Sequence, residues 1–362
     1  MNDLLLSSCQ MGSITLQNRI VMLPMTRNRA IGNNPNELMA EYYGQRASAG
    51  LIITEGTAPS PNALGYANIP GIFTKEQVEK WKLTTDAVHK KGGKIFVQLM
   101  HTGRMGNPKN LPEGAELIAP SALPAIGKAI KNTQRTNEYH TPREMNLEDI
   151  LNVQMEFVIA SKNAIEAGFD GVELHGANEH IIEQFLSPIS NQRTDIYGST
   201  IENRCRFAIE TIQKVGIEIG FDKVAIRLSP FGANSWENDD ENTFATYDYL
   251  SSELNKFGLA YLHHVDHTAI GGNLVPIEIK QKIRENFKNT ILISGGFDVH
   301  SAEETIENNL ADLVGFGRPF IGNPDLVERI EKNWEINTNL DTTTFYSSDA
   351  KGYTDYSTFK NQ

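Results

Sequence analysis

The sequence predicts an α/β fold in which short buried strands alternate with helices, and two observations carry that prediction. Eight runs of apolar, often β-branched residues recur along the chain, and between them lie longer stretches with apolar positions at helical spacing. Each run is short and apolar enough, without regular polar alternation, to be buried on both faces, the pattern of parallel strands covered on both sides. Such βα units build either a closed barrel or an open doubly wound sheet, and periodicity does not choose between them. A third observation weighs against the open sheet: no GxGxxG follows the first strand.

In chain order the strands are read at 19–23, 51–54, 94–99, 171–174, 223–228, 259–265, 290–294 and 313–316. The helical patterns between and after them run over 37–49, 75–91, 147–167, 201–219, 243–256, 277–286, 301–308 and 324–333. The stretch 102–146, after the third strand, is polar and rich in Pro and Gly, and reads as an inserted lid or capping subdomain. No low-complexity tract or linker interrupts the chain, and residues 339–362 read as a polar, partly mobile C-terminal tail.

With 362 residues, 40% of them hydrophobic, the chain can bury a substantial core. A net charge of -12 without basic clusters argues against nucleic acid or an anionic membrane as partner, leaving small molecules. Cys9 and Cys205 form no CxxC, so neither a disulfide framework nor a structural zinc site is expected, and a reducing cytoplasm fits. The opening residues lack the basic segment and apolar run of a signal peptide, and no stretch approaches a membrane span.

The chemistry gathers in residues 171–206, GVELHGANEHIIEQFLSPISNQRTDIYGSTIENRCR. His175 and Asn178 stand at the end of a strand, three residues apart. Two such donors can converge on one ligand oxygen and stabilise negative charge developing there; the plain alternative is a turn whose polar groups satisfy the backbone. Gln98 is a polar residue in an apolar strand, FVQLMHTGR, and a buried amide needs partners. Arg227, in AIRLSP, puts a permanent cation inside a strand, where it needs an anion such as Glu173 or a ligand. Glycines follow the last two strands at Gly295, Gly296 and Gly317, with Arg318 beside them, a combination suited to phosphate. His263, His264 and His267 form HHxxH, but strand alternation sends the first two to opposite faces, so no metal site is expected.

Within 171–206 the segments HGAN, QFLSP, NQRTD and IENR carry a resemblance to the old yellow enzyme family, the FMN-dependent ene-reductases, and similarity extends from Arg19 to about Tyr356. The resemblance implies one (β/α)8 TIM barrel over 1–362, with noncovalent FMN across the C-terminal strand ends and NADPH or NADH as hydride donor. The sequence does not choose between the two nucleotides. His175 and Asn178 would hold the activating group of an alkene (an enone, enal, maleimide or nitroalkene) while flavin N5 delivers hydride to the C=C bond. Pro24, Met25 and Thr26, in VMLPMTRNR, resemble the family's flavin-contacting strand end, and Gly56, in ITEGT, would let the backbone approach the ring. The flavin then becomes the expected partner of Gln98 and Arg227, and its phosphate that of the late glycines and Arg318. Tyr66, Met100 (where many relatives carry Trp) and Tyr353 are expected at the substrate pocket, and His264 or His267 at its border. Relatives include monomers and homodimers.

Two residues past Asn178 the family pattern has a tyrosine that protonates the substrate carbon; this chain has His180. Direct donation, donation through water, supply by solvent and a merely structural role all stand as alternatives, and Glu179 beside it favours the charged imidazole. With defective proton delivery the same site would isomerise alkenes or reduce quinone and nitro acceptors. Readings from other classes are a non-catalytic flavin-binding protein, or a flavin-free sugar-phosphate isomerase or aldolase.

Overall fold

The computed structural model describes residues 4–125, 139–232, 240–268, 272 and 275–361. Eight parallel strands close into a ring: β1 (Ile20–Met22), β2 (Leu51–Ile53), β3 (Ile95–Leu99), β4 (Gly171–Gly176), β5 (Val224–Leu228), β6 (Tyr261–Val265), β7 (Thr290–Ser294) and β8 (Leu313–Phe316). Each pairs with its neighbour in sequence, and β8 returns to β1 through Val314–Ile20 and Phe316–Met22. That last pairing excludes an open sheet.

The helices α1 (Glu37–Gln45), α2 (Lys75–His89), α3 (Leu147–Glu166), α4 (Ile201–Ile219), α5 (Asp240–Leu254), α6 (Ile277–Asn286), α7 (Val299–Glu307) and α8 (Leu326–Lys332) fall between and after the strands. Local side chains set several of their ends. Reciprocal caps start α2 at Thr74–Gln77 and α3 at Asn146–Asp149. The sequence reading starts α7 at Ser301, but Asp298 is the cap and Ser301 is the third helical residue answering it. Helix α1 stops short of Ala49 because the Arg46 side chain turns back onto the Tyr42 carbonyl and onward to Phe320 and Ile321.

Alternation divides each barrel strand into an inner and an outer face. Val21, Leu51, Phe96, Tyr261, Leu292 and Leu313 pack inside, and the outward residues join the core under the helices. A hairpin that the sequence reading does not contain, Cys9–Met11 with Ile14–Leu16, plugs this inner core from the N-terminal side. Its turn residue Gly12 has φ 53°, and a Cβ there would lie 2.6 Å from the Asp222 carbonyl oxygen.

The segment after β3 contains two short turns and a two-residue strand pairing, Ile118–Ala119 with Arg143–Glu144; its centre, 126–138, lies outside the described residues. The C-terminal segment departs from the expected mobile tail. Buried Arg27 donates to the Phe345 and Gly352 carbonyls, and buried Arg29 to those of Thr344, Phe345, Asp349 and Lys351. Guanidinium forks that end on main-chain carbonyls hold this segment against α1 whatever its own side chains are.

Candidate active site

Toward the C-terminal ends of the strands the barrel interior turns polar. Glu173, fully buried on β4, accepts from Gln98 Nε2 at 2.8 Å, Tyr261 Oη at 3.0 Å and His263 Nδ1 at 2.9 Å. Burial alone would raise its carboxyl, but His263, Arg227 and Gln98 outweigh burial and hold it below the usual value. His263 itself is pushed down by burial, and so is a neutral donor to Glu173 that accepts from Ser294 Oγ at 2.8 Å. The structural bond open to Gln98 is therefore made, and Glu173 is the carboxylate nearest in charge to Arg227.

Arg227 lies one step higher, in register with His175 on one side and His263 on the other. Among the described residues it makes no hydrogen bond or ion pair, and its Nε is buried without a partner. An unneutralised guanidinium in a barrel interior calls for an anion, which an anionic ring system with a carbonyl edge supplies. Thr26, Met25 and Pro24 stand half-exposed just past β1. Past β7 and β8 the backbone is open: Gly296 is exposed at φ 76°, Gly295 and Gly317 are half-exposed, and Arg318 is exposed. These features fit FMN, which Arg227 and the late glycines with Arg318 would hold. Gly56 has a different neighbour than expected, since a Cβ there would lie 2.5 Å from Met100 Sδ and Met100 fills that space.

The substrate side is built on the turn after β4. Asn178 and Glu179 both adopt left-handed φ, 56° and 62°, which costs a non-glycine residue about 1 kcal/mol. Glu183 braces this turn: its carboxylate accepts from the Glu179 backbone N–H and, at 2.7 Å, from Ser229 Oγ, while Ser229 Oγ accepts from the Asn178 backbone N–H at 2.9 Å. The turn leaves His175 Nδ1 and Asn178 Oδ1 buried without partners. Burial, then nearby His180 and Arg227, hold His175 well below 6.5, so its ring is neutral and can donate without carrying charge.

His180 packs on His175, with ring centres 4.4 Å apart, and its Nε2 lies 3.2 Å from Tyr66 Oη. Its Nδ1 sits 3.0 Å from the Ala177 carbonyl, which can only accept. The proton of neutral His180 is therefore on Nδ1, and Nε2 accepts from the Tyr66 hydroxyl. Tyr66 thus joins the group. Tyr353 does not: fully buried, it stacks on Tyr42 at 4.0 Å between the rings and the Arg27 and Arg29 guanidinia. His264 also departs from expectation, facing outward with Ile293 and Val314, both ring nitrogens buried without partners, and burial pushing it down to about 3.

Two residues near the site escaped the sequence reading. His101 follows Met100, and its Nε2 is buried without a partner; burial and then His180 push it down to about 3. Glu55, fully buried after β2, accepts from the Arg27 backbone N–H at 3.2 Å, next to Thr26. Burial raises its carboxyl from 4.5 to about 7 against the pull of Arg27, Arg29 and Tyr43. The folded protein therefore binds a proton that the unfolded chain has released over that window, and stability falls as pH rises through it. Glu55→Gln is expected to remove ~3 kcal/mol of this fall between pH 5 and 8, read from urea midpoints across that range. An unchanged slope would place the titration elsewhere.

Among the described residues no group of three or more His, Cys, Asp or Glu is arranged for a metal, and no helix is long and apolar enough to cross a membrane. Comparison with known proteins agrees with the cofactor that these residues fit. The model of the NADH:flavin oxidoreductase / NADH oxidase family matches residues 5–337. The chain is 40% identical to 12-oxophytodienoate reductase 2 of Arabidopsis thaliana, over 97% of this chain and 95% of that one. It is likewise 40% identical to 12-oxophytodienoate reductase 1 of Oryza sativa subsp. japonica, over 97% and 92%. Among solved structures, morphinone reductase superposes with a TM-score of 0.93 at 40% identity, covering 100% of this chain and 98% of that one. The old yellow enzyme homologue from Zymomonas mobilis superposes at 0.91 with 37% identity, covering 98% and 99%. A closed parallel barrel, an unpaired interior cation and a match along most of the chain lead to one conclusion: this protein belongs to the NADH:flavin oxidoreductase / NADH oxidase family, the old yellow enzymes, and is an FMN-dependent oxidoreductase.

Proposed function

We propose that the protein reduces the C=C bond of small activated alkenes such as enones, enals, maleimides or nitroalkenes, with NADH or NADPH as reductant. FMN, when bound, supplies the hydride chemistry. The observation that supports this reading most is His175 Nδ1, left buried and unpartnered at the end of β4 beside the unpaired Arg227, with the Asn178 amide, whose Nδ2 is its donor, on the turn that follows. Neutral His175 and the Asn178 amide bind the substrate's electron-withdrawing oxygen and stabilise the charge that gathers on it during hydride addition. The low-lying titration of His175 suits a donor that stays neutral through the cycle.

Proton supply belongs to the Tyr66–His180 pair. With Nδ1–H committed to the Ala177 carbonyl, neutral His180 has only a lone pair to offer at Nε2. A second proton enters at Nε2, where Tyr66 receives it while its own proton moves to the substrate carbon, so one proton leaves the pair per turnover. Reduction of quinone or nitro acceptors, which need no carbon acid, does not draw on this pair.

The test is anaerobic stopped-flow of the reduced protein mixed with cyclohexenone, for wild type, His180→Ala and Tyr66→Phe. Enone reoxidation in the wild type with a loss of ~100-fold in both variants is expected. If the enone leaves the flavin bleached while a quinone restores its colour, alkene reduction is wrong. A loss in His180→Ala alone would make the imidazole the direct donor.

A further inference from the structure

Outside the barrel mouth, the most unusual surface lies on α3. Leu147, Leu151, Met155 and Ile159 follow one another at intervals of four and are 48%, 50%, 46% and 51% exposed. Four large apolar side chains in one row, on a helix whose opposite side is packed into the core, form a stripe about 18 Å long that nothing in the described structure covers.

The residues around the stripe say what covers it. At about 100° per residue, Glu148, Leu151, Met155, Ile159 and Lys162 all fall within a wedge of about 80° centred on Met155. They are also symmetric about it: Leu151 lies four residues before and Ile159 four after, Glu148 seven before and Lys162 seven after. The face is therefore complementary to its own antiparallel copy. A two-fold axis at Met155 would set Leu151 against the second copy's Ile159, and acidic Glu148 against the second copy's basic Lys162. A parallel copy would instead oppose like charges at both ends.

We propose that α3 is the interface of a homodimer, two copies meeting antiparallel with their Met155 side chains on the two-fold axis. Lys162 is 56% exposed and reaches Glu218 of α4 at 2.8 Å, which leaves it able to meet a second carboxylate. The stripe is short beside the roughly 1,600 Å² of a standard interface, so the dimer is a reversible one.

The geometry is specific enough to trap. In the full-length protein Met155→Cys brings two thiols together on the axis, and native Cys9 and Cys205 are buried and do not compete. Mild oxidation should give a covalent dimer on a non-reducing gel, whereas Leu83→Cys, at a similarly exposed position on α2, should not. By sedimentation, Glu148→Lys should raise the dimer dissociation constant ~10-fold, and adding Lys162→Glu should restore it. A monomeric wild type overturns the proposal. So does a dimer in which Met155→Cys crosslinks no faster than Leu83→Cys, since it would then form through another face. None of these readouts depends on flavin or turnover.

Discussion

Replacing Arg227 with methionine is expected to make the flavin-free protein more stable while weakening its hold on FMN. In most buried positions the loss of an arginine breaks bonds inside the protein. Here the guanidinium makes none with described residues, and burial opposes its charge, as the lowering of its own proton affinity reflects. An apolar side chain of similar volume removes that desolvation penalty, and gains of ~2 kcal/mol are typical of such exchanges. Glu173 loses a nearby cation but keeps His263, Tyr261 and Gln98. FMN, by contrast, loses a charged donor worth ~1.5–3 kcal/mol, or roughly 10–100-fold in dissociation constant. Thermal unfolding of the apoprotein and fluorescence titration with FMN measure the two halves separately. A variant less stable than wild type, with unchanged flavin affinity, would mean that Arg227 serves the fold and not the cofactor.

Replacing Arg29 with methionine should have the opposite balance. Its guanidinium holds the carbonyls of Thr344, Phe345, Asp349 and Lys351 together with Ser347 Oγ, and a methionine leaves those acceptors short of a donor. Each orphaned acceptor that stays buried costs ~1–3 kcal/mol, but the segment can lift into water instead, which limits the total to ~4 kcal/mol. Urea unfolding gives the magnitude. Limited proteolysis gives the place, with new cleavage expected between residues 340 and 352 before any in the barrel. Cleavage spread evenly along the chain would show that the segment is not held by Arg29.

The barrel strands were legible because burial on both faces leaves uninterrupted apolar runs. Every predicted strand finds its counterpart, with ends that differ by at most two residues. What periodicity could not supply was decided by single side chains, as where Asp298 starts α7 ahead of Ser301. The hairpin at Cys9–Leu16 was missed because three-residue strands carry no readable period. At the site, the polar residues within apolar strands, Gln98, Glu173 and Arg227, stood out by contrast, but their partners did not. Arg227 and Glu173 suggested a salt bridge; the structure gives Glu173 to His263, Tyr261 and Gln98. The Tyr66–His180 contact joins residues 114 apart, and the stacking of Tyr353 on Tyr42 joins the late segment to α1, so neither leaves a local trace.

The arginines of the first βα unit also bear on how the chain is made. Arg27 leaves the ribosome 318 residues before the Phe345 carbonyl it will bind, and Arg46 does so 274 residues before Phe320. Throughout synthesis the nascent N-terminal half carries guanidinia that have local partners at Tyr42 but lack their C-terminal ones, and compacting around them early would leave part of each charge unpaired in an apolar interior. Partly built barrels are thereby expected to be disfavoured, and the bonds that fasten the C-terminal segment would tie folding of the first strands to completion of the last.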